Sequence, residues 1–218
     1  ESGISTFRDA GGLWDKYPVM QVASAEGYVR DPELVINFYN ERRKQLLDVE
    51  PNAGHTGLAE LEKDFNVTVV TQNVDNLHER AGSTHVIHLH GELTKVCSSR
   101  DPYNPRYVRE LKPEEYEVKM GDKAGDGSQL RPFIVWFGEA VPEIETAIGY
   151  VEKADIFVII GTSMNVYPAA GLLNYVPRTA EVYLIDPKPV DTHSMRQIHV
   201  IQKGASEGVK ELKTEILH

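Results

Sequence analysis

Three short apolar runs, rich in β-branched residues, constrain the fold class of this chain most strongly. They are Val67–Thr71 ("VTVVT"), Asp155–Gly161 ("DIFVIIG") and Glu181–Asp186 ("EVYLID"). Nearly continuous apolar runs of this length are typical of strands that are buried on both faces of a parallel sheet. Helix-like segments, "PEIETAIGYVEKA" and "PAAGLLNYV", lie before and after the second run. This alternation predicts βαβ units with right-handed crossovers, and therefore an α/β fold with a doubly wound, mostly parallel, Rossmann-like sheet.

Hydrophobic spacing predicts three further helices. Apolar residues recur every three or four positions from Asp31 to about Leu47, which indicates a helix that begins at an Asp-Pro pair. Asn52 is the expected N-cap of the next helix. An amphipathic stretch from Ala205 to Leu217 predicts a last helix at the end of the sequence.

The composition changes between Thr94 and Arg131. This segment is polar, contains several prolines and glycines, and shows little hydrophobic periodicity. The chain has 218 residues, which allows one main domain with an insertion and does not require two independent cores. We therefore predict a Rossmann-like domain made of residues 1–93 and 131–218, interrupted at residues 94–130 by a small module or a long loop.

Charge and composition exclude several classes of protein. A formal net charge of -10 opposes the phosphate backbone, so no nucleic-acid partner is expected. The longest purely aliphatic or aromatic run, Ile156–Ile160, is far shorter than the ~20 residues needed to cross a bilayer, so no membrane span is expected. The first residues carry no signal pattern, and a single cysteine allows no intrachain disulfide. Both observations favour a cytoplasmic protein.

Polar residues follow the predicted strands where the strands end. "TQN", "GTS" and "IDP" come after the three apolar runs, and ligands of doubly wound sheets bind beyond the carboxyl ends of the strands. Gln72, Asn73 and Asp75 offer amides and a carboxylate for ribose hydroxyls or a carboxamide, although Asn73 and Asp75 are equally good helix caps. The residues after the second strand are small enough to admit a phosphate or a sugar, unless they form a plain tight turn: Gly161, Thr162 and Ser163. Together these clusters predict one composite pocket.

Two histidines and the only cysteine lie in the stretch "VIHLHGELTKVCSS". Strand alternation places His88 and His90 on one face, and Gly91 then ends the strand just after His90. A histidine in that position can act as a general base near neutral pH, although a lone histidine is more often a hydrogen-bonded structural residue. Structural zinc normally needs four ligands, and the sequence has no CxxC pair, so the case for Cys97 as a metal ligand is weak.

Eight motifs in order resemble the sirtuin family of NAD-dependent protein lysine deacylases. They are "ESGISTFR", "FYNERR", "PNAGH", "TQNVDNLHERAG", "HLHGEL", "RPFIVWFGE", "GTSMNVYPAAG" and "KGAS". The resemblance covers the chain outside the insertion at residues 94–129. It implies the Rossmann-like fold with an inserted module, NAD as cofactor, and acylated lysine side chains of proteins as partners.

In that family the acyl-lysine amide oxygen attacks the nicotinamide ribose of NAD, and a histidine acts as general base. The products are nicotinamide, free lysine and O-acyl-ADP-ribose. The resemblance implies that His90 is this base and that Asn73 and Asp75 complete the catalytic set. The residues that match the family's cofactor contacts are Phe7 and Arg8 of the cofactor loop, Gln72, Asn73, Val74, Asp75, Gly161, Thr162, Ser163, Leu184, Ile185, Asp186 and Ala205.

The resemblance also implies a substrate site. Tyr39 and Arg42 resemble the Tyr-x-x-Arg signature of sirtuins that accept succinyl- and malonyl-lysine as well as acetyl-lysine. Their spacing puts a phenol and a guanidinium on one helix face, where both can bind one carboxylate. The alternative is a core tyrosine beside an arginine of a solvated "RRK" run. The segment that matches the family's pairing with the substrate backbone contains Val135, Trp136, Phe137 and Gly138.

Two departures from the family affect these expectations. The family's zinc is usually held by two cysteine pairs in the insertion, and here that segment contains Cys97 alone, so we expect no metal. The residues expected to hold the module by packing are Tyr103, Tyr107, Leu111 and Tyr116.

Sirtuins also begin with a strand and a "GAGxS" turn that cradles the pyrophosphate, and neither precedes Glu1 in this sequence. An empty sheet position and weaker cofactor binding are then expected. Leu184 stands where relatives often have asparagine, which weakens one expected ribose contact.

Two alternatives remain open: a non-catalytic module that binds NAD or ADP-ribose, and an NAD-dependent ADP-ribosyltransferase. The sequence indicates no oligomeric state.

Overall fold

The computed structural model describes residues 17–162, 169–190 and 197–218. The helices are α1 (Val19–Val22), α2 (Ala25–Arg30), α3 (Pro32–Leu46), α4 (Ala53–Glu60), α5 (Leu77–Arg80), α6 (Ile144–Val151) and α7 (Ala205–Ile216). The strands are β1 (Val69–Thr71), β2 (Val86–His88), β3 (Gly91–Ser98), β4 (Arg109–Glu110), β5 (Leu130–Ile134), β6 (Ile156–Ile160), β7 (Glu181–Ile185) and β8 (His199–Ile201). Single 3-10 turns lie at Leu61–Lys63, Pro105–Tyr107, Pro113–Glu115, and a longer 3-10 segment covers Ala169–Tyr175.

The strands predicted from the apolar runs lie in parallel sheets, as expected. β1 pairs with β2 in parallel, and β6, β7 and β8 form a second parallel sheet with β7 in the centre. Ile87 of β2 and Leu89, which directly follows that strand, share one core cluster with Ile159 and Val182 from the second sheet. The two parallel sheets therefore pack around a common core, as an α/β fold requires.

The helix predicted from Asp31 onward is confirmed, and its cap explains where it starts. The side chain of Asp31 accepts a hydrogen bond from Leu34 N at 3.0 Å, and proline occupies the first turn, where its missing N-H has no cost. Ile36 and Phe38 of α3 are almost fully buried, and each burial is worth ~1.5 to 3 kcal/mol. Asn52 caps α4, also as predicted.

Two elements differ from the sequence prediction. β1 begins at Val69 rather than Val67, because its partner strand β2 begins only at Val86 and offers nothing earlier to pair with. The predicted helix "PAAGLLNYV" is a 3-10 segment, Ala169–Tyr175. It is short and carries Gly171 in its interior, where glycine destabilises an α-helix by roughly 0.5 to 1 kcal/mol relative to alanine.

The segment predicted as a module or long loop contains an antiparallel sheet with the order β4-β3-β5. Its core consists of Val96, Leu111, Val118 and Leu130, which pack against Ile36 of α3. The prediction that Leu111 packs inward is confirmed, while the three tyrosines predicted beside it, Tyr103, Tyr107 and Tyr116, are half-buried.

A polar network ties the two long strands of this sheet to the loop between them. The Ser98 hydroxyl accepts hydrogen bonds from the amides of Arg100 and Asp101 at 3.0 and 2.9 Å and donates to Asp126 at 2.6 Å. Ser128 also donates to the Asp126 carboxylate, at 2.7 Å. These hydrogen bonds lower the pKa of Asp126 to about 2, so the carboxylate stays ionised.

Among the described residues, no helix combines the length and the apolar character that a membrane crossing needs.

Candidate active site

The turn after β1 holds the polar residues Gln72, Asn73 and Asp75. Thr71 Oγ1 accepts a hydrogen bond from Asn73 N at 3.0 Å, and Asp75 Oδ1 accepts one from Leu77 N, also at 3.0 Å. Asn73 is exposed, whereas Gln72 and Asp75 are half-buried. The bond from Leu77 N closes an Asx turn at Asp75 ahead of α5, whose N-cap residue is Asn76 and has no side-chain cap bond. Neither Asn73 nor Asp75 is therefore the cap of this helix, and the Asn73 side chain is exposed beside an ordered turn.

His90 lies beside this turn, in the connection between β2 and β3. Its Nδ1 lies 3.2 Å from the carbonyl oxygen of Gln72. A carbonyl oxygen only accepts, so Nδ1 carries the proton and Nε2 keeps its lone pair. Burial lowers the pKa of His90, although the hydrogen bond to Gln72 opposes the shift. The imidazole is therefore neutral at pH 7 and can take a proton at Nε2.

Gly91 fixes the position of His90, although β2 ends at His88, two residues earlier than predicted. Gly91 has φ +83°, and a Cβ there would lie 2.1 Å from the carbonyl oxygen of Phe133. Only glycine lets the chain turn here and pack this closely on β5. Val135 N donates to the carbonyl oxygen of His90 at 2.9 Å, so the histidine is attached to the predicted substrate segment.

The carboxyl ends of β1 and β6 meet, as the composite pocket requires. Gln72 Nε2 donates to Thr162 Oγ1 at 3.1 Å. Gly161 has φ +60°, and a Cβ at this position would meet no atom of the described residues within 4 Å. As far as those residues go, the space beside Gly161 is open, and this is where a phosphate or a sugar is predicted. Phe7, Arg8 and Ser163 lie outside the described residues.

The third strand end contributes less than predicted. The side chains of Leu184 and Ile185 are 1% and 0% exposed and belong to the core. Any contact of these two residues with a ligand would have to use the main chain. Asp186 is half-buried at the end of β7, where its Oδ1 accepts a hydrogen bond from Lys188 N at 2.8 Å. Ala205 opens α7 and packs on α4, since a Cβ at Gly54 would lie 3.3 Å from it.

Tyr39 and Arg42 lie on the same side of α3, facing the polar turn. Tyr39 is 3% exposed, and its hydroxyl oxygen accepts a hydrogen bond from Trp136 Nε1 at 3.0 Å. Burial raises the pKa of Tyr39, so the phenol stays protonated. Burial lowers the pKa of the half-buried Arg42, and the nearby Tyr39 and Asp75 oppose that shift. Arg42 therefore remains a cation between the buried Tyr39 and Asp75 of the polar turn.

The predicted substrate segment is partly paired already. Phe137 N donates to Ala23 O at 2.9 Å, and Phe137 O accepts from Ala25 N at 3.4 Å. A peptide strand therefore cannot use both main-chain groups of Phe137 without displacing these bonds. Gly138 has φ +90°, and a Cβ there would lie more than 4 Å from every atom of residues 17–162, 169–190 and 197–218, so these residues leave space open next to it.

The comparison with known proteins decides the family. Residues 1–168 match the family model described as the Sir2 family. The chain belongs to the Sir2 family. It is 85% identical over 213 residues to an NAD-dependent protein deacylase of Bacteroides thetaiotaomicron, and the aligned region covers 98% of this chain and 91% of that protein.

Two further Sir2 relatives agree with this assignment. An NAD-dependent protein deacylase of Helicobacter pylori is 48% identical over 217 residues, with coverage of 100% of this chain and 92% of that protein. The crystal structure of a Sir2 homologue in complex with NAD matches with a TM-score of 0.85 and 36% identity, covering 99% of this chain and 84% of that one. The parallel α/β architecture is thus that of solved Sir2 proteins.

One network in this Sir2-family site escaped the sequence prediction. Arg131 is 4% exposed, donates to the two carboxylate oxygens of Glu139 at 2.8 and 3.1 Å, and stacks on Trp136 with 3.8 Å between guanidinium and ring centre. Tyr103 donates to Glu139 at 2.9 Å. The sequence signal was an arginine inside the apolar strand "LRPFI", which requires a buried partner.

The described residues contain one group of three potential metal ligands close together: Glu79, His88 and Glu92. Cys97 is not part of it. The Cys97 thiol is buried, burial raises its pKa to about 12, and its sulfur contacts the carbonyl oxygen of Pro132 at 3.8 Å.

Proposed function

We propose that the cleft between the Gln72–Asp75 turn, His90 and Arg42 removes acyl groups from lysine side chains of proteins, with His90 as the general base. The chain is an NAD-dependent protein deacylase, given its family and its 85% identity to a deacylase over nearly its whole length. The observation that carries the role of His90 is its Nδ1-H bond to Gln72 O. That bond directs the lone pair of Nε2 away from the turn and leaves it free to accept a proton.

The residues of the cleft suit NAD. The nicotinamide ribose of bound NAD supplies the carbon that receives the acyl oxygen. The amides of Gln72 and Asn73 and the carboxylate of Asp75 can hold ribose hydroxyls and a carboxamide, and Asp75 is the one charged group among the three. The open space beside Gly161 can accept the phosphates of NAD. The remaining residues that we assign to the cofactor are Phe7, Arg8, Val74, Thr162, Ser163, Leu184 and Ile185 through the main chain, Asp186 and Ala205.

The chemistry of the chain's own residues then follows from the geometry. Asn73 and Asp75 orient the ribose, and His90 Nε2 takes a proton from a ribose hydroxyl. With one water consumed in each turnover, the expected products are nicotinamide, free lysine and O-acyl-ADP-ribose. The carbonyl of Val135 and the main chain of Gly138 are the points where we expect the substrate backbone, because Phe137 is already paired with Ala23 and Ala25 and the amide of Val135 with His90.

Tyr39 and Arg42 give this site a preference for acidic acyl groups, such as succinyl and malonyl, with acetyl also accepted. Trp136 donates to the oxygen of Tyr39, so the phenol proton is directed to a different acceptor. A carboxylate at the end of the acyl chain would receive that proton and face the Arg42 cation. The half-buried position of Arg42 beside Tyr39 and Asp75 supports this role over that of a solvated surface arginine.

A further proposal concerns the inserted module at residues 94–130. We propose that the module works without zinc, supported by the buried thiol of Cys97 and the hydrogen bonds of Ser98.

Replacement of His90 tests the proposed base. His90→Ala should abolish NAD-dependent removal of acyl groups from a peptide, while the circular dichroism spectrum and the melting temperature stay close to those of the parent. Turnover within about threefold of the parent would exclude His90 as the base, since general-base catalysis contributes ~100-fold or more.

A further inference from the structure

Two histidines, not one, hold the turn that carries Asn73. His90 Nδ1 lies 3.2 Å from the carbonyl oxygen of Gln72, and His88 Nδ1 lies 3.0 Å from that of Asn73. Residues two apart on an extended chain point to the same side, and His88 and His90 have this spacing. Their side chains therefore contact the carbonyls of two consecutive residues. The peptide unit at the centre of the turn is thus fixed from one side by two imidazoles.

The protonation state of His88 differs from that of His90. Nδ1 of His88 faces a carbonyl and therefore carries a proton, while Nε2 lies 2.5 Å from Glu79 Oε1. An ionised carboxylate only accepts, so Nε2 also carries a proton and the ring is an imidazolium. Its side chain is 5% exposed and that of Glu79 39%, so the bond reaches from the interior to the surface.

The charged groups around His88 agree with an imidazolium. Burial lowers the pKa of His88, but the hydrogen bonds to Glu79 and to the Asn73 carbonyl outweigh it, and the pKa is raised overall. Glu92 on β3 adds a second negative charge, while Lys95 pairs with Glu92 at 2.6 Å. The neighbouring His78 is neutral at pH 7, because burial lowers its pKa to about 4.

We propose that His88, held as an imidazolium by Glu79, is a positioning residue that fixes the Asn73 carbonyl and so aims the Gln72–Asp75 turn at NAD. This inference rests on the proposed function, which assigns the turn to the cofactor. The Glu79, His88 and Glu92 group is then not a cation site, because His88 and Lys95 already balance its two carboxylates.

A pair of isosteric replacements separates this role from a purely structural one. In His88→Asn the side-chain amide nitrogen takes the place of Nδ1 and still reaches the Asn73 carbonyl, whereas in His88→Gln it takes the place of Nε2 and does not. His88→Gln should raise the Kd for NAD, measured by calorimetry, and the KM for NAD about tenfold, the usual effect of a lost charge-assisted hydrogen bond. His88→Asn should recover most of that loss, and the KM for the peptide should stay within about twofold in both.

The pH dependence provides a second readout. The imidazolium contact is complete below the raised pKa of His88 and is lost as the pH rises through it, so the Kd for NAD should rise over the same pH interval. Glu79→Gln removes the carboxylate that raises this pKa, so the same rise should occur at lower pH. In His88→Asn the Kd for NAD should not rise with pH, because the amide that replaces the imidazolium has no proton to lose.

The matched control is His85→Gln. His85 lies three residues earlier, is half-buried, and contacts Thr68 and Tyr150 rather than the turn. Its Kd for NAD should equal that of the parent. The inference is overturned if His88→Gln binds NAD like the parent, or if the Glu79→Gln profile superimposes on the parent's. The proposed function fails separately, if the parent binds NAD but removes no acyl group.

Discussion

Exchange of Arg42 for methionine should change the acyl preference of this deacylase without changing its stability. Arg42 is a half-buried cation beside Tyr39 and Asp75, and methionine keeps the length and the packing of the stem while removing the charge. An acetyl group presents no carboxylate to this position, whereas a succinyl group does. The loss should therefore be confined to acidic acyl chains.

The size of the effect follows from the surroundings of Arg42. A hydrogen bond to a charged group contributes about 1.5 to 3 kcal/mol. We expect the lower end, because the side chain is partly solvated and the Asp75 carboxylate already attracts the same cation. The ratio of kcat/KM for succinyl-lysine over acetyl-lysine should fall about tenfold, which corresponds to ~1.4 kcal/mol.

The adjacent Arg43 is the control, because its surroundings are opposite. Arg43 is 3% exposed and donates to the carbonyl oxygens of Leu93 and Tyr116 at 2.8 and 2.6 Å and to Asn40 Oδ1 at 2.9 Å. Removing three buried hydrogen bonds at ~1 kcal/mol each should lower the melting temperature of Arg43→Met by roughly 6 to 12 °C. Its acyl preference should not change.

The assay is steady-state deacylation of matched acetyl- and succinyl-lysine peptides by the parent, Arg42→Met and Arg43→Met, with thermal melts of all three. Equal losses of Arg42→Met on both peptides would refute the carboxylate contact. So would a melting temperature that falls as far as that of Arg43→Met, because Arg42 would then be a structural residue.

Two further predictions concern His90 and the module. On the acid side, kcat/KM should fall with a midpoint below the ordinary histidine pKa of ~6.5. The reason is that burial lowers the pKa of His90 and keeps the base neutral at lower pH. A midpoint at or above ~6.5 would contradict this environment. Ser98→Ala should lower the free energy of unfolding, measured in urea, by ~1 to 3 kcal/mol, because the amides of Arg100 and Asp101 and the Asp126 carboxylate lose their common partner. An unchanged urea midpoint would show that packing alone holds the module, and Thr214→Ala on the exposed face of α7 is the control.

The parallel sheets and the main helices could be predicted from sequence, because buried strands and capped helices have local patterns. Glu181–Ile185 reads as a strand in isolation, and Asp31 before proline marks the start of α3. The antiparallel sheet of the module has no such pattern. Its strand β4 has two residues, and β3 changes register against β5 between Gly91 and Val96.

The site was predicted in part for a similar reason. Gln72 and His90 come from motifs at strand ends, and the structure brings them together. The roles of Trp136 and Arg43 depend on partners that lie far away in sequence, Tyr39 in the first case and Leu93 in the second. The interpretation of the "RRK" run as a solvated surface is wrong for Arg43, which is buried. Such partners follow only from tertiary packing.

Mass spectrometry of the reaction products tests the central claim most directly. Acetyl-, succinyl- and malonyl-lysine peptides are incubated with the parent protein, with and without NAD. We predict free lysine only in the presence of NAD, with one nicotinamide and one O-acyl-ADP-ribose formed for each lysine released. An unchanged peptide mass, or a peptide that gains ADP-ribose instead of losing its acyl group, would contradict the account.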